Sequence, residues 1–256
     1  MAQTLQSVGQ ALRILELLQV HETLGVSEIA EKLSVGSSTA HRLLATLAEA
    51  NFVRQGPQGR KYQLGPAMQG SGTGAAIEHC VETGSPHMER LRDATGETIH
   101  LAVLSRTSTR FVAAVESNHM MRVTSRVGRI LPAHTTAAGK LLLSYLPDDE
   151  LAALYPDGAL PSGTPESLHS LSDLRAELES VRADGYARNL AESEQGVAAL
   201  AVPVYRPAGP VLCSLTITGP DSRFNPERSR ELSVRERSLL AQLIEHAQKI
   251  SAELSF

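Results

Sequence analysis

The first 50 residues show three separate patterns of apolar positions at helical spacing. The first follows Ser7-Val8-Gly9-Gln10, which has the Ser-x-x-Gln form of a capping box. Ser27 is a candidate N-cap for a second, short helix, and Ser37 or Ser38 for a third. A tight turn containing Gly36 separates the last two helices, so the order predicts a helix-turn-helix. The apolar positions of the three patterns are Ala11, Leu12, Leu15, Leu18, Ile29, Ala30, Leu33, Ala40, Leu43, Leu44, Leu47 and Ala48.

The third helix carries hydrogen-bond donors on the side opposite its apolar stripe. Such groups donate to phosphates and to base edges in the major groove, and Arg42 is the candidate for a bidentate contact. Two short strands over 52–54 and 61–64 follow and predict a hairpin wing with a basic loop. The candidate DNA-binding residues are Ser37, Ser38, Thr39, His41, Arg42, Thr46, Arg60 and Lys61.

Charge is unevenly distributed along the chain. The whole sequence holds 24 Lys or Arg against 28 Asp or Glu, a net charge of -4. Residues 1–65 hold six basic side chains against five acidic ones, and 37–65 holds four against a single acid. An anionic partner is expected at this short basic stretch. A small helical domain with a solvated polar helix and an incidental hairpin is the alternative that stays open here.

The second half of the chain changes to an alternating pattern. Strands are predicted over 98–104, 110–116 and 120–127, and two nearly all-apolar strands over 197–205 and 211–218. We expect the last two in the middle of one antiparallel sheet, because both of their faces are apolar.

Three helices are predicted between and after these strands. The first starts at Thr135 or Thr136 and stops before Pro147, and the second is closed by Gly185. The last begins with a capping box at Ser233-Val234-Arg235-Glu236. Strands with interspersed helices indicate an α+β domain.

Composition restricts the class of protein but does not indicate a function. The chain is 42% hydrophobic and 20% charged, which is typical of globular proteins, and 256 residues favour two domains. It holds no apolar run of about 18 residues and no signal-peptide pattern, so we expect a cytoplasmic protein that does not contact a membrane. Cys80 and Cys213 lie far apart without the spacing of metal ligands, which favours two reduced thiols.

Eight short segments spread over the chain stand in a characteristic order. They are Ala11-Leu12-Arg13-Ile14-Leu15, Ser27-Glu28-Ile29-Ala30, Ser37-Ser38-Thr39-Ala40-His41-Arg42-Leu43-Leu44, Tyr62-Gln63-Leu64-Gly65, Ala94-Thr95-Gly96-Glu97-Thr98, Pro132-Ala133-His134-Thr135-Thr136-Ala137-Ala138-Gly139-Lys140, Gly185-Tyr186-Ala187 and Ala201-Val202-Pro203-Val204. In this order and spacing they resemble the IclR family of bacterial transcription regulators. The resemblance implies two domains: an N-terminal all-α winged helix-turn-helix and a C-terminal α+β, GAF-like effector-binding domain.

By this resemblance the DNA-binding domain covers 1–65, a Gly-rich, partly helical linker covers 66–84, and the effector-binding and oligomerisation domain covers 85–256. The family joins its domains with an amphipathic helix that supports the dimer, yet 65–74 holds four glycines and a proline. Each interior Gly costs about 0.8–1 kcal/mol relative to Ala in a helix. We therefore expect a linker helix that is frayed, bent or stabilised by a partner chain, with a flexible tether as the alternative.

The resemblance also implies where an effector binds. The small residues that open the helix after Leu131 leave backbone N–H groups and the positive end of the helix dipole for an anion, which suits a small carboxylic acid. Ordinary packing roles for His134 and for the strand threonines, and a solvated acidic loop at Glu192, stay open as alternatives. The candidate effector-binding residues are Leu131, His134, Thr135, Thr136, Ala137, Ala138, Gly139, Asn189, Glu192, Ala199, Thr216 and Thr218.

The function predicted from these patterns is an effector-responsive DNA-binding regulator, a repressor rather than an activator. It would act on a double-stranded DNA operator as a homodimer or dimer of dimers, without cofactor or metal and without catalytic residues. An enzyme with an accessory N-terminal domain is the main alternative. The chain lacks the nucleophile-elbow, phosphate-loop, dinucleotide and zinc-protease motifs that would favour it. A ligand-binding module that has lost DNA binding is the third possibility.

Overall fold

A computed structural model describes residues 6–21, 23–56, 61–65, 67, 71–161, 163–206, 209–229 and 231–254. Contacts divide the chain into two compact units, Met1–Ala75 and Ala76–Phe256. The boundaries predicted at 65 and 84 remain predictions.

The N-terminal unit is a three-helix cluster with a small antiparallel sheet. Ile14, Ile29, Ala40 and Leu44 are among the buried side chains that hold its helices together. The strand order is β1-β3-β2, so the predicted hairpin wing gains a third strand from the segment before the second helix. The elements are α1 Gln6–Val20, β1 Leu24–Gly25, α2 Val26–Leu33, α3 Ser37–Glu49, β2 Val53–Gln55 and β3 Lys61–Leu64.

The helix caps of this unit differ from those that the sequence predicts. Helix α1 already includes Ser7, so that residue is not its N-cap. Helix α2 is capped by Gly25, whose N–H donates to the Glu28 carboxylate at 2.6 Å, and the predicted cap Ser27 lies inside the helix. The reason is that Gly25 belongs to β1 and is held extended by its pairing with β3.

The turn between α2 and α3 lies at 34–36 and contains Gly36, as the sequence predicts, but its left-handed residue is a serine. Ser34 adopts the left-handed conformation with φ 53°, whereas Gly36 is extended and is the N-cap of α3. Neither Ser37 nor Ser38 is the cap, because both already lie within the helix. Their hydroxyls are consequently not used in capping.

The C-terminal unit is built on a six-stranded antiparallel sheet of order β6-β5-β4-β9-β8-β7. The two apolar strands predicted for mid-sheet, β8 and β9, are indeed interior strands. The elements are α4 Ser71–Thr95, β4 Thr98–Ser105, β5 Ser108–Val115, β6 Ile130–Pro132, a 3-10 turn Ala133–Thr135, α5 Ala137–Leu143, α6 Asp148–Leu154, α7 Leu171–Asp184, β7 Ala187–Leu190, β8 Val197–Tyr205, β9 Val211–Pro220, α8 Asp221–Phe224 and α9 Val234–Glu253.

The two faces of this sheet bury different kinds of side chain. Large apolar residues such as Leu101, Leu200 and Leu215 pack against α4 and α9. On the opposite face, small residues such as Ala199 and Ala201 pack with α5 and α7. Because side chains alternate along a strand, this second face also receives the polar residues of β4 and β9.

Several predictions about this unit are confirmed, and others are wrong. Gly185 closes α7 with φ 75°, and the Ser233 capping box begins α9. The predicted strand 120–127 is absent from that part of the described chain: Met120 is fully exposed, and β6 pairs with β5 in its place. The helix after the 3-10 turn ends at Leu143 rather than running on to Pro147, and α6 follows it.

The linker segment is helical from Ser71 onwards, and α4 contains Pro86 within its length. Its glycines therefore do not prevent a helix, although Pro66 and 68–70 lie outside the described residues. A Cβ on Gly84 would lie 3.2 Å from the Leu101 side chain, which explains a glycine where α4 packs on the sheet. One turn earlier on α4, Cys80 lies next to Cys213 of β9. Both are free thiols, and their sulfur atoms are 3.5 Å apart.

Candidate DNA-binding surface and effector cavity

Helix α3 presents the predicted polar face to solvent. Its buried side, formed by Ala40, Leu44 and Leu47, packs into the core of the N-terminal unit. The short turn after α2 fixes where the helix begins, and the wing strands follow directly from its end. The residues of the predicted DNA-binding face of α3 are all exposed: Ser37, Ser38, Thr39, His41, Arg42 and Thr46.

Hydrogen bonding and charge extend this face. The Thr46 hydroxyl donates to the Arg42 carbonyl at 3.0 Å, and the Arg42 side chain itself is exposed. Lys61 is exposed at the start of β3, whereas the predicted contact Arg60 lies outside the described residues. Arg54, which belongs to the predicted basic stretch 37–65 but not to the candidate DNA-binding residues, is exposed on the adjacent strand and adds a further cation to the wing.

The second face of the large sheet and α5 enclose a small cavity in the C-terminal unit. Strand pairing places Asn189, Ala199 and Thr218 side by side across β7, β8 and β9. The free volume is about 20 Å³, which is close to the space of a single water molecule. Its lining residues are Phe111, Arg126, Thr136, Ala137, Ala138, Asn189, Ser193, Val197, Ala199, Thr216 and Thr218.

Seven of the twelve predicted effector residues therefore come together around one cavity. Those seven are Thr136, Ala137, Ala138, Asn189, Ala199, Thr216 and Thr218. The other five do not line the cavity and make other contacts: Leu131, His134, Thr135, Gly139 and Glu192.

The start of α5 is held together by its own hydrogen bonds. Thr136 caps the helix by accepting from the Gly139 N–H at 2.9 Å, and it shares a 2.8 Å hydrogen bond with Thr109. A Cβ on Gly139 would lie 2.2 Å from the Ala133 carbonyl oxygen. Backbone atoms therefore fill the space that a side chain at Gly139 would need, and this position provides no room for a ligand.

Asn189 ties the sheet to this turn. Its amide donates to the Thr135 carbonyl at 2.8 Å and to the Ser193 hydroxyl at 2.9 Å, while its oxygen accepts from the Glu192 N–H. The Thr135 hydroxyl itself donates to Pro132. Asn189 thus orders the loop that begins at Ala191.

Glu192 is used in a buried ion-pair cluster. Lys140, whose side chain is 2% exposed, donates to Glu177 at 2.7 Å and to Glu192 at 2.8 Å. Burial raises the pKa of Glu192, and the Lys140 ammonium opposes the shift without cancelling it. The sequence signal for Lys140 was its place in the Gly139-Lys140 motif, but nothing in the sequence indicated its two partners.

His134 and Leu131 lie on other surfaces. The Nε2 atom of His134 is 2.8 Å from the Pro161 carbonyl, and its ring meets Tyr155 edge to face. Burial lowers the pKa of His134, so the neutral ring is favoured. Leu131 packs against Phe111 and Ala138 behind the cavity wall.

Sequence reasoning missed the charged part of the cavity wall. Arg126 falls within the predicted strand 120–127, which does not form, and Phe111 within the predicted strand 110–116. Arg126 is 5% exposed and pairs with the Glu194 carboxylate at 3.0 Å. The sequence does not indicate that Arg126 is buried beside Glu194, because the two residues are distant in the chain.

Metal sites and membrane-spanning helices are both absent from the part of the chain that the structure describes. Across the residues that the structure describes, no group of three or more His, Cys, Asp or Glu side chains is placed to hold a metal ion. Over the same ranges, no helix has the length and apolar character needed to cross a membrane.

Comparison with known proteins agrees with this architecture in both halves. Residues 7–57 match the model of the IclR helix-turn-helix domain, and residues 77–252 match that of the bacterial transcriptional regulator IclR C-terminal domain. These ranges contain α3 and all the residues that line the cavity, respectively.

Individual relatives match over most of the chain. The chain is 30% identical to the HTH-type transcriptional regulator KdgR of Escherichia coli K12, over 99% of this chain and 94% of that protein. It is 33% identical to the HTH-type transcriptional repressor AllR of Klebsiella pneumoniae, over 87% and 84%. The crystal structure of the Thermotoga maritima IclR superposes with a TM-score of 0.62 at 26% identity, covering 98% and 99%. The chain therefore belongs to the IclR family and is an effector-responsive, DNA-binding transcription regulator.

Proposed function

We propose that this protein is a repressor that binds its operator through α3 and the wing and is controlled by a small organic acid in the C-terminal cavity. The observation that carries the DNA-binding part is the exposed row of polar side chains on α3, opposite a fully packed apolar side. Repression is favoured over activation by the relatives named as AllR repressors. The enzymatic alternative gains no support, since the relatives are named as regulators.

The contacts proposed for DNA are base contacts from α3 and phosphate contacts from the wing. Arg42 has the planar fork that reads a guanine edge, and Lys61 and Arg54 are suited to the backbone. We propose a homodimer or a dimer of dimers, because two winged helices on one operator would read two half-sites. The effector acts by binding one conformation of the protein more tightly than another.

DNA binding is tested by fluorescence anisotropy at two salt concentrations. One labelled duplex comes from the DNA upstream of the gene for this protein, and the other is a scrambled duplex. Specific binding should exceed scrambled binding by about a thousandfold and weaken with salt. Arg42→Ala should weaken specific binding by about 5- to 150-fold, the equivalent of 1–3 kcal/mol. Arg175→Ala, which removes the same charge from the exposed side of α7, is the matched control.

The outcome that would contradict this proposal is equal affinity for both duplexes at both salt concentrations.

Effector control is tested separately, because coupling between two binding sites is reciprocal. An acid that lowers operator affinity by some factor must itself bind more weakly to the operator complex by the same factor. Unequal factors would rule out control through a shared conformational equilibrium.

A further inference from the structure

The C-terminal unit contains a second, larger cavity, formed by the 3-10 turn, the end of α6 and the loop that follows it. Its free volume is about 300 Å³, which is the space of about ten water molecules and the lower end of the range for small-molecule sites. The two cavities have no lining residue in common. This one is therefore a separate candidate site.

Backbone hydrogen bonds hold the walls of this second cavity in place. The Ala133 N–H donates to the Thr107 carbonyl at 2.9 Å, which fixes the 3-10 turn to the end of β4. After α6, the Gly158 N–H donates to the Tyr155 carbonyl at 3.0 Å, and the Gly158 carbonyl accepts from the Leu171 N–H at 2.9 Å. The cavity is thus formed before any ligand binds, which lowers the entropy cost of binding.

Two side chains of the second cavity have polar atoms without partners. His134 and Tyr155 line it and are only 1% and 6% exposed. Because the Pro161 carbonyl can only accept, the Nε2 atom of His134 donates to it, and Nδ1 of the neutral ring is an acceptor. Nδ1 and the Tyr155 hydroxyl are buried and have no hydrogen-bond partner among the described residues. Such atoms are costly to leave unpaired.

The charge of this cavity disfavours an acid. Burial lowers the pKa of His134 and raises that of Tyr155 to about 12, so both groups are neutral at pH 7. The charged side chain among the described lining residues is the exposed carboxylate of Asp157. A carboxylate ligand would meet this negative charge and the lone pair of Nδ1, whereas an uncharged hydroxyl would meet neither with repulsion.

The rest of the wall suits an apolar ring. Leu154 and three prolines line it with the Tyr155 ring: Pro132, Pro156 and Pro161. Burial of a hydrocarbon ring against these groups is favoured by the hydrophobic effect. The His134 and Tyr155 rings meet edge to face with centroids 6.2 Å apart, so a single small ligand can contact both.

We propose that this cavity is a second ligand site, for an uncharged ring compound that carries a hydroxyl group. The ligand hydroxyl donates to Nδ1 of His134, the Tyr155 hydroxyl donates to the ligand oxygen, and the ring packs against the prolines. This site is additional to the effector cavity, and its ligand differs in charge from the organic acid proposed there.

The experiment uses isothermal titration calorimetry on the full-length protein, with phenol and cyclohexanol as probes. Anisole, which keeps the ring and the oxygen but lacks the hydroxyl hydrogen, and benzoate, which is charged, are the ligand controls. At least one hydroxylated ring should bind. Anisole should bind about fivefold more weakly than phenol or worse, and benzoate should also bind more weakly.

Three results of these titrations would overturn the proposal. Absence of binding by both hydroxylated rings would mean that the cavity holds only water. Equal binding of phenol and anisole would exclude donation to His134. Equal binding of phenol and benzoate would exclude the preference for an uncharged ligand.

Tyr155→Phe tests the site without disturbing the fold, because it removes an oxygen that has no partner within the described protein. Affinity for the hydroxylated ring should fall by about two- to tenfold, the effect of one lost hydrogen bond. Tyr145→Phe, the same change at a tyrosine that does not line the cavity, should leave affinity unaltered. Equal affinity of Tyr155→Phe and wild type would contradict the proposal.

A variant of the effector cavity shows which of the two cavities is occupied. Thr218→Val removes one hydroxyl from the effector cavity and should not change the affinity for the hydroxylated ring. If it weakens binding as much as Tyr155→Phe does, the ring occupies the effector cavity and the second site is wrong. None of these titrations requires DNA, so their failure leaves the proposed operator binding standing.

Discussion

The proposed DNA-binding face of α3 and the proposed effector cavity use polar side chains in opposite ways. On α3 they are exposed and make few contacts within the protein, so each is available to an external partner. In the cavity most are buried and already bonded, as Thr136 and Asn189 show. Exposed residues on such a surface can contribute separately to binding, whereas the hydrogen-bonded residues around a cavity depend on one another.

Stability should therefore depend strongly on polar residues around the cavity and weakly on those of α3. Substitutions in the cavity network leave buried groups without partners, and those on α3 only expose different atoms to water. Three measurements test this contrast, from the largest expected effect on the free energy of unfolding to the smallest.

Lys140→Met should destabilise the C-terminal unit by about 3–5 kcal/mol, because it leaves two carboxylates near one another without their cation. Chemical denaturation monitored by circular dichroism gives the change. Adding Glu192→Gln to this variant should restore part of the loss. A Lys140→Met protein as stable as wild type would show that the cluster is solvated and that the contrast with α3 is overstated.

His100 should make stability depend on pH. Its folded pKa of about 3 lies below its ordinary value of 6.5, so the unfolded chain takes up a proton between these values and the folded chain does not. Stability present above pH 6.5 is consequently lost as the pH falls, by about 2 kcal/mol on reaching about pH 5. Unfolding of wild type and His100→Gln should be compared across this range, and parallel curves would contradict the prediction.

Thr39→Ala should give the smallest change in stability, within about 0.5 kcal/mol, since its side chain is exposed on α3. Operator affinity should nevertheless fall in the anisotropy assay, because Thr39 lies on the face proposed to contact DNA. Thr216→Ala is the matched change in the cavity and should cost more stability, since Thr216 is buried. If the two variants had the same free energy of unfolding, the proposed contrast between α3 and the cavity would be wrong.

The sequence predicted most helices and strands because their signals are local. The apolar stripe of α3, the glycine after α7 and the capping box at Ser233 all act within a few residues of chain. The helix caps predicted at Ser27 and at Ser37 or Ser38 were wrong because a neighbouring strand or a left-handed serine shapes the turn there. Ser7 was wrong as a cap because it lies inside α1. Local patterns cannot register such competition, since β1 exists only by pairing with β3.

The sequence by itself determined the two kinds of domain, the exposed face of α3, the interior strands β8 and β9, and the family. These follow from periodicity and motif order, which are properties of the chain. Tertiary structure alone decided that Lys140 joins Glu177 and Glu192, that His134 faces Pro161, and that Arg126 enters the cavity beside Glu194. The physical reason is that burial and pairing of a charge depend on residues distant in the chain, and only folding brings these together.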